Sequence, residues 1–144
     1  MANHHDAELV LKLYDLRRET EMRKARTFLG FELWPSSSED LSKAISAGDG
    51  NRYWRQGTSF WTMAAQLALH GSVDEQLFLE TSGEMFFFYA KFKPFLADIR
   101  KTQPEAFLAI ETLINRSQAG KDKLAYFEQR VAGARARMQQ AAKA

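Results

Sequence analysis

Apolar residues recur at three- and four-residue steps along most of the chain, and they are densest between Leu77 and Lys101. At 100° per residue, Leu77, Phe78, Thr81, Met85, Phe88, Phe92, Phe95, Leu96 and Ile99 fall within about a third of a helix circumference. They form an apolar stripe roughly seven turns long. Leu79, Phe86, Phe87 and Ala90 make a second, shorter stripe on the opposite side. A helix with two apolar faces needs neighbours on both, which predicts a central helix in a bundle or across a dimer seam. Pro94 lies inside the stripe and removes the donor to the Ala90 carbonyl, so a kink is expected there.

The flanking segments read as helices too. Asp6 is a candidate N-cap for a first helix with Leu9, Leu13, Leu16 and Thr20 on one face. Its continuation repeats the spacing at Thr27, Phe31 and Trp34, with Met22, Ala25 and Leu29 as a flank and a break expected near Thr20. Pro35 and the three serines after it stop that helix. A short helix follows from Ser38 to Ala47, then a turn over 48–51, then a long helix from Arg52 to His70 with Tyr53, Trp54, Phe60, Trp61 and Leu67 on its apolar arc. Gly71 ends it, and Ser72 with Glu75 spells a capping box for the central helix. Thr102–Glu105 opens a fifth helix over Ala106, Phe107, Ile110, Leu113 and Ile114. The last helix shows Leu124, Phe127, Val131, Ala134 and Met138. No run alternates at period two. The pattern predicts an all-α, single-domain bundle of about five or six helices, mostly antiparallel, with a Pro-kinked, Phe-rich central helix. Residues 1–6 and 139–144 are expected to be disordered.

Composition narrows the setting. The 144 residues suit one domain, and 45% hydrophobic with 26% charged residues is ordinary for a soluble protein. There is no cysteine, so no disulfide or zinc-thiolate site can form. The N-terminus lacks the pattern of a signal peptide, and the most apolar window, Met85–Ala97, is too short to span a bilayer. A cytoplasmic location is expected. The net charge of +2 conceals an asymmetry, since residues 116–144 carry seven basic against two acidic side chains.

Candidate chemistry is sparse. The three histidines, His4, His5 and His70, have no Glu-x-x-His or His-Glu-x-x-His setting, and no phosphate loop or nucleophile elbow occurs. No metal ligand set, cofactor or catalytic constellation is expected. Glu80 and Glu84 read as a solvated edge beside Lys91. The cluster Arg17, Arg18, Arg23, Lys24 and Arg26 is interleaved with acids at helical pairing distances, the signature of a salt-bridged surface. Its sharper meaning is a polyanion or nucleic-acid surface, which Arg130, Arg135 and Arg137 extend if the first and last helices are neighbours.

The stretches LYDLRRETEMRKARTFLGFELWP and NRYWRQGTSFWTMAAQLALHG resemble small uncharacterised bacterial helical domains of unknown function, through Arg17, Ala25, Arg26, Phe31, Pro35, Trp61 and Gly71. The resemblance implies a bacterial origin and transfers no activity or site residue.

The function expected from these features is a non-enzymatic interaction or regulatory domain. It would self-associate as a homodimer, or bind another helical protein, through Leu79, Phe86, Phe87 and Ala90. Polyanion binding through the arginines is the alternative. A third possibility is a small-molecule pocket built from Tyr53, Trp54 and Trp61 near His70.

Overall fold

From Met85 to Phe92 every side chain except that of Phe87 is buried, Lys91 included, so this helix is covered on nearly every side. The rest of the chain wraps it. The computed structural model describes residues 1–144 and contains helices and turns but no strand. In order they are α1 (His4–Leu16), α2 (Thr20–Thr27), a π-helical turn (Phe28–Glu32), α3 (Ser38–Ile45), α4 (Gly48–Leu69), α5 (Glu75–Thr81), α6 (Gly83–Phe92), a 3-10 turn (Lys93–Phe95), α7 (Leu96–Ile99), α8 (Leu108–Asn115) and α9 (Gln118–Lys143). The all-α, single-domain expectation holds, with more and shorter helices than five or six.

The central stretch is divided rather than continuous. Ser82, buried and at φ −111°, ψ 42°, interrupts it between α5 and α6. At Pro94 the expected kink is a 3-10 turn, after which α7 resumes. Two long helices supply the packing surfaces. α9 lies along α6, while α4 meets α2, α3 and α8. Phe86 stacks on Phe127 of α9 with ring centroids 6.0 Å apart. Leu124 and Val131 of α9 are also buried, at the step that the apolar spacing of the last helix predicts.

Local signals explain most boundaries. His70, Gly71 and Ser72 form a Schellman close to α4: Gly71 sits at φ +76°, its N–H donates to the Ala68 carbonyl, and the Ser72 N–H donates to Leu67. α5 is capped by Asp74, whose carboxylate accepts from the Leu77 N–H, and not by Ser72. At the first helix, too, the cap lies earlier than expected. Asn3 is the N-cap and Asp6 closes a capping box with it, so α1 starts at His4 within the segment expected to be disordered. At the other end α9 continues to Lys143. α2 is capped by Glu19 instead of Thr20.

The turn expected over 48–51 belongs to α4, because Gly50 lets the helix start beneath the Ala44 carbonyl, where any Cβ would collide. Gly120 does the same for α9 beneath the Ile114 carbonyl. α8 starts late because Phe107 takes a left-handed conformation, φ 58°. Such a conformation costs on the order of 1–3 kcal/mol. Burial of its ring among Trp54, Tyr89 and Phe92, at centroid distances of 5.8, 6.2 and 6.1 Å, offsets that cost.

On α2 the buried face is the flank. Met22, Ala25 and Leu29 are buried against α4, and Leu29 lies so close to Gly57 that a side chain there would strike it. Thr27 and Phe31 are exposed. The π turn contributes to this, since it closes through Leu33 N–H to the Phe28 carbonyl and leaves Phe31 three-quarters exposed.

Candidate functional site

Four helices meet at one carboxylate. Glu84 stands in the first turn of α6, where the helix dipole favours an anion. Arg26 of α2 donates its Nε to both Glu84 oxygens, at 2.8 and 3.0 Å. Trp61 of α4 donates its indole N–H at 3.1 Å, and Arg17, just after α1, donates an η-nitrogen at 3.4 Å. The Arg17 guanidinium lies between the rings of Tyr14 and Trp61, 5.0 and 5.1 Å from their centroids. Burial lowers its pKa from the ordinary guanidinium value, and the Glu84 charge opposes this. Its Nε is buried without a partner. Two guanidiniums therefore share one carboxylate, leaving a net positive charge in the hub. Glu80, expected on the same edge, stays exposed and accepts from Gln76.

Beside the hub runs a groove between the π turn and α9, floored by α6. It consists of two adjoining cavities of about 640 and 700 Å3 that share Gly30, Phe31, Phe87, Tyr126 and Arg130. One end reaches Arg23, Arg26 and Glu84; the other reaches Trp34, Gly133, Arg137 and Met138. Phe31, Tyr126 and Met138 are exposed by 75%, 52% and 44%, and so form an apolar lining open to solvent. Arg23, Arg130 and Arg137 form no ion pair within the chain. The lining thus combines aromatic rings with guanidiniums that lack a carboxylate partner, Arg130 lying over Tyr126 and donating to its hydroxyl at 3.1 Å.

Behind the Trp34 wall lies Lys91. Its ammonium nitrogen donates to the Leu29 carbonyl of the π turn at 2.6 Å, sits 3.9 Å from the Trp34 ring centroid and 5.5 Å from that of Phe92, and has no carboxylate within ion-pair distance. Arg135 of α9 is the charged neighbour; it donates to the Pro35 and Lys91 carbonyls and lies over Trp34 at 5.6 Å. Burial, with Arg135 adding to it, pulls Lys91 from 10.5 down to about 7. The folded protein therefore releases this proton near pH 7, while the unfolded chain holds it up to about 10.5. The unfolded state binds more protons across that window, so the destabilisation due to Lys91 is full below pH 7 and is relieved as pH rises above it. The urea midpoint is expected to rise from pH 7 to pH 9, and Lys91→Met to remove most of that rise. Parallel profiles for the two proteins would show that Lys91 is not the group responsible.

The residues singled out from sequence fall in several places. Leu79, Phe86 and Ala90 are buried within the chain, and α9 occupies the flank of Leu79 and Phe86. Of that seam only Phe87 reaches an open surface, where it lines the groove edge-on to Trp34. Arg17 and Arg26 belong to the hub, Arg23, Arg130 and Arg137 to the groove, and Arg135 to its back wall. Lys24 pairs with Glu21, and Arg18 is exposed elsewhere. The first and last basic segments are therefore neighbours at Arg23, Arg26 and Arg130, the condition under which the C-terminal arginines extend the first cluster. Tyr53, Trp54, Trp61 and His70 do not converge: Tyr53 packs on Phe28, Trp54 donates to Gln103, Trp61 joins the hub, and His70 is exposed at the end of α4.

Two features leave little trace in the sequence. Spacing alone does not distinguish Glu84 from Glu80, and it places Lys91 on the same polar edge. The sole sequence signal for Lys91 is its place between the apolar run Met85–Ala90 and Phe92.

Residues 2–117 match the model of a family described as a domain of unknown function, DUF4760. The chain belongs to this family. No curated protein and no solved structure matches it. The DUF4760 match contains the whole hub and the π turn, and it ends at Ser117, the N-cap of α9. The resemblance to uncharacterised domains is thus met, and three of the residues that carried it, Arg17, Arg26 and Trp61, are the three that converge on Glu84. No helix is long and apolar enough to cross a membrane, and no three His, Asp or Glu side chains gather as a metal site would require.

Proposed function

We propose that this domain is a non-catalytic interaction module whose working surface is the groove between the π turn and α9. The observation that carries it is Phe31, held three-quarters exposed over a floor of Phe87 by a turn that Lys91 pins through the Leu29 carbonyl. What sets Phe31 apart from other exposed apolar side chains is its company: it shares one groove with Phe87, Tyr126 and Met138, and a contiguous apolar surface is the kind that marks an interaction site. The arginines around it give the surface a preference for anionic partners.

Self-association through Leu79, Phe86 and Ala90 would require α9 to leave its place on α6. The groove itself suits another molecule better than a second copy of α9, because both would present arginines. Arg23, Arg26 and Arg130 at one end of the groove, with Arg137 at the other, support a second reading, a short polyanion site.

A bis-anionic apolar dye such as bis-ANS probes the groove directly. Phe31→Ser and Tyr126→Ser are each expected to weaken dye binding about fivefold, the equivalent of roughly 1 kcal/mol of lost apolar contact. Both residues are exposed, so the melting temperature should hardly move. Equal dye binding by wild type and both variants removes the groove as working surface. Retention on heparin with a steep salt dependence, in variants that no longer bind dye, favours the polyanion site.

A further inference from the structure

The wall that α9 contributes is itself a helix-packing stripe. Tyr126, Arg130, Gly133, Ala134, Arg137 and Met138 follow one another at steps of four, three, one, three and one, the spacing of a single helix face. Over this stretch α9 is docked along its other side, through Val131 and Arg135, so this face has no helix against it. Its middle is built of small residues, Gly133 and Ala134, and Gly30 lies across the groove. Small residues at the centre of a stripe let another helix approach closely, with larger side chains at either end to bracket it. Arg130 and Arg137 are seven residues apart, which is two turns and about 10 Å along the axis. Neither has a carboxylate partner in the chain.

We infer that the groove is a seat for one amphipathic helix of a partner protein, about four turns long, with an apolar stripe and Asp or Glu side chains seven residues apart on its edge. This rests on the groove being the working surface. The apolar stripe packs over Phe31, Phe87 and Gly133, and the carboxylates meet Arg130 and Arg137. Charge decides against a second α9 as the occupant: residues 116–144 carry seven basic and two acidic side chains, so that helix laid in the groove would set arginine against arginine. It also decides against an apolar partner without acids, which would bury the guanidiniums unpaired.

The probe is a synthetic fluorescein-labelled peptide of about 18 residues, with leucines at the stripe positions and glutamates at seven-residue spacing, followed by anisotropy at low salt. Its partner probe carries lysine at each glutamate. The full chain is expected to bind the glutamate peptide at least tenfold more tightly than the lysine peptide. Arg130→Glu/Arg137→Glu should reverse that order, and both sites are exposed, so circular dichroism should show an unchanged fold. The inference is overturned if the two peptides bind equally, if the glutamate peptide fails to saturate, or if an oligonucleotide binds more tightly at the same salt. A dimer that Phe31→Ser dissociates also overturns it, in favour of a second copy. Peptide failure with dye binding intact at Phe31 sinks the helix alone; loss of both sinks the groove.

Discussion

Replacing Glu84 with alanine is expected to lower the stability of the domain by about 3–5 kcal/mol, the usual consequence of removing one partner from a largely buried ion pair. The carboxylate is bound to Arg26, Arg17 and Trp61 at once, and it joins α1, α2, α4 and α6. Its removal leaves two guanidiniums and an indole N–H facing each other in a confined space, with Arg17 already short of one partner. For a chain of this length the loss corresponds to a fall in melting temperature of roughly 10–16 °C. Glu84→Gln should be milder, because the amide oxygen can still accept from Trp61 while the charge is gone. Arg17→Met combined with Glu84→Gln should recover part of the loss by removing the uncompensated cation. Thermal melts of the three variants check this ordering. A shift of under about 2 °C for Glu84→Ala would show that water, rather than the carboxylate, satisfies the arginines.

Phe86→Ala is expected to cost about 3–5 kcal/mol as well, here through a cavity. Phe86 is fully buried, and its ring is stacked on Phe127 at the contact between α6 and α9. Emptying that position removes the main apolar anchor of the front half of α9. The polar ties that remain, from Lys123 to the Leu79 and Glu80 carbonyls and from Arg135 to the Pro35 carbonyl, are weak alone. Limited proteolysis should therefore cut first within residues 118–143, ahead of global unfolding. Little change in stability or cleavage would mean that α9 is not seated on α6 in solution. The seam of Leu79, Phe86 and Ala90 would then be free for another chain.

How legible each feature was follows from the distance over which it is determined. The stop at Pro35, the Schellman close at Gly71 and the stripe of α9 depend on residues within one or two turns, so spacing and turn chemistry revealed them. The break at Ser82 has one local mark, the Ser82-Gly83 pair, but the apolar period runs through it, so where α5 and α6 must each pack decides that the helix divides there. The same holds for Phe107, whose left-handed backbone is tolerated because three aromatic rings surround its side chain.

The candidate site shows the contrast most clearly. Spacing placed Glu84 beside Glu80 on a polar edge, yet its partners Arg26 and Arg17 lie 58 and 67 residues away in sequence. On α2, two apolar faces were visible, and the buried one was chosen by the position of α4. Lys91 sits in a helix surrounded on nearly every side, and its partner is a backbone carbonyl in a π turn, a group that leaves no trace in the identity of residues.

Periodicity and local turn chemistry, both short-range properties of the chain, were enough to specify an all-α domain with a Phe-rich segment at its axis. Which charges are buried, which aromatic side chain stays in water and which basic segments share a groove were decided by tertiary packing alone. Those outcomes depend on contacts between residues far apart in the chain, and no residue's immediate neighbours encode them.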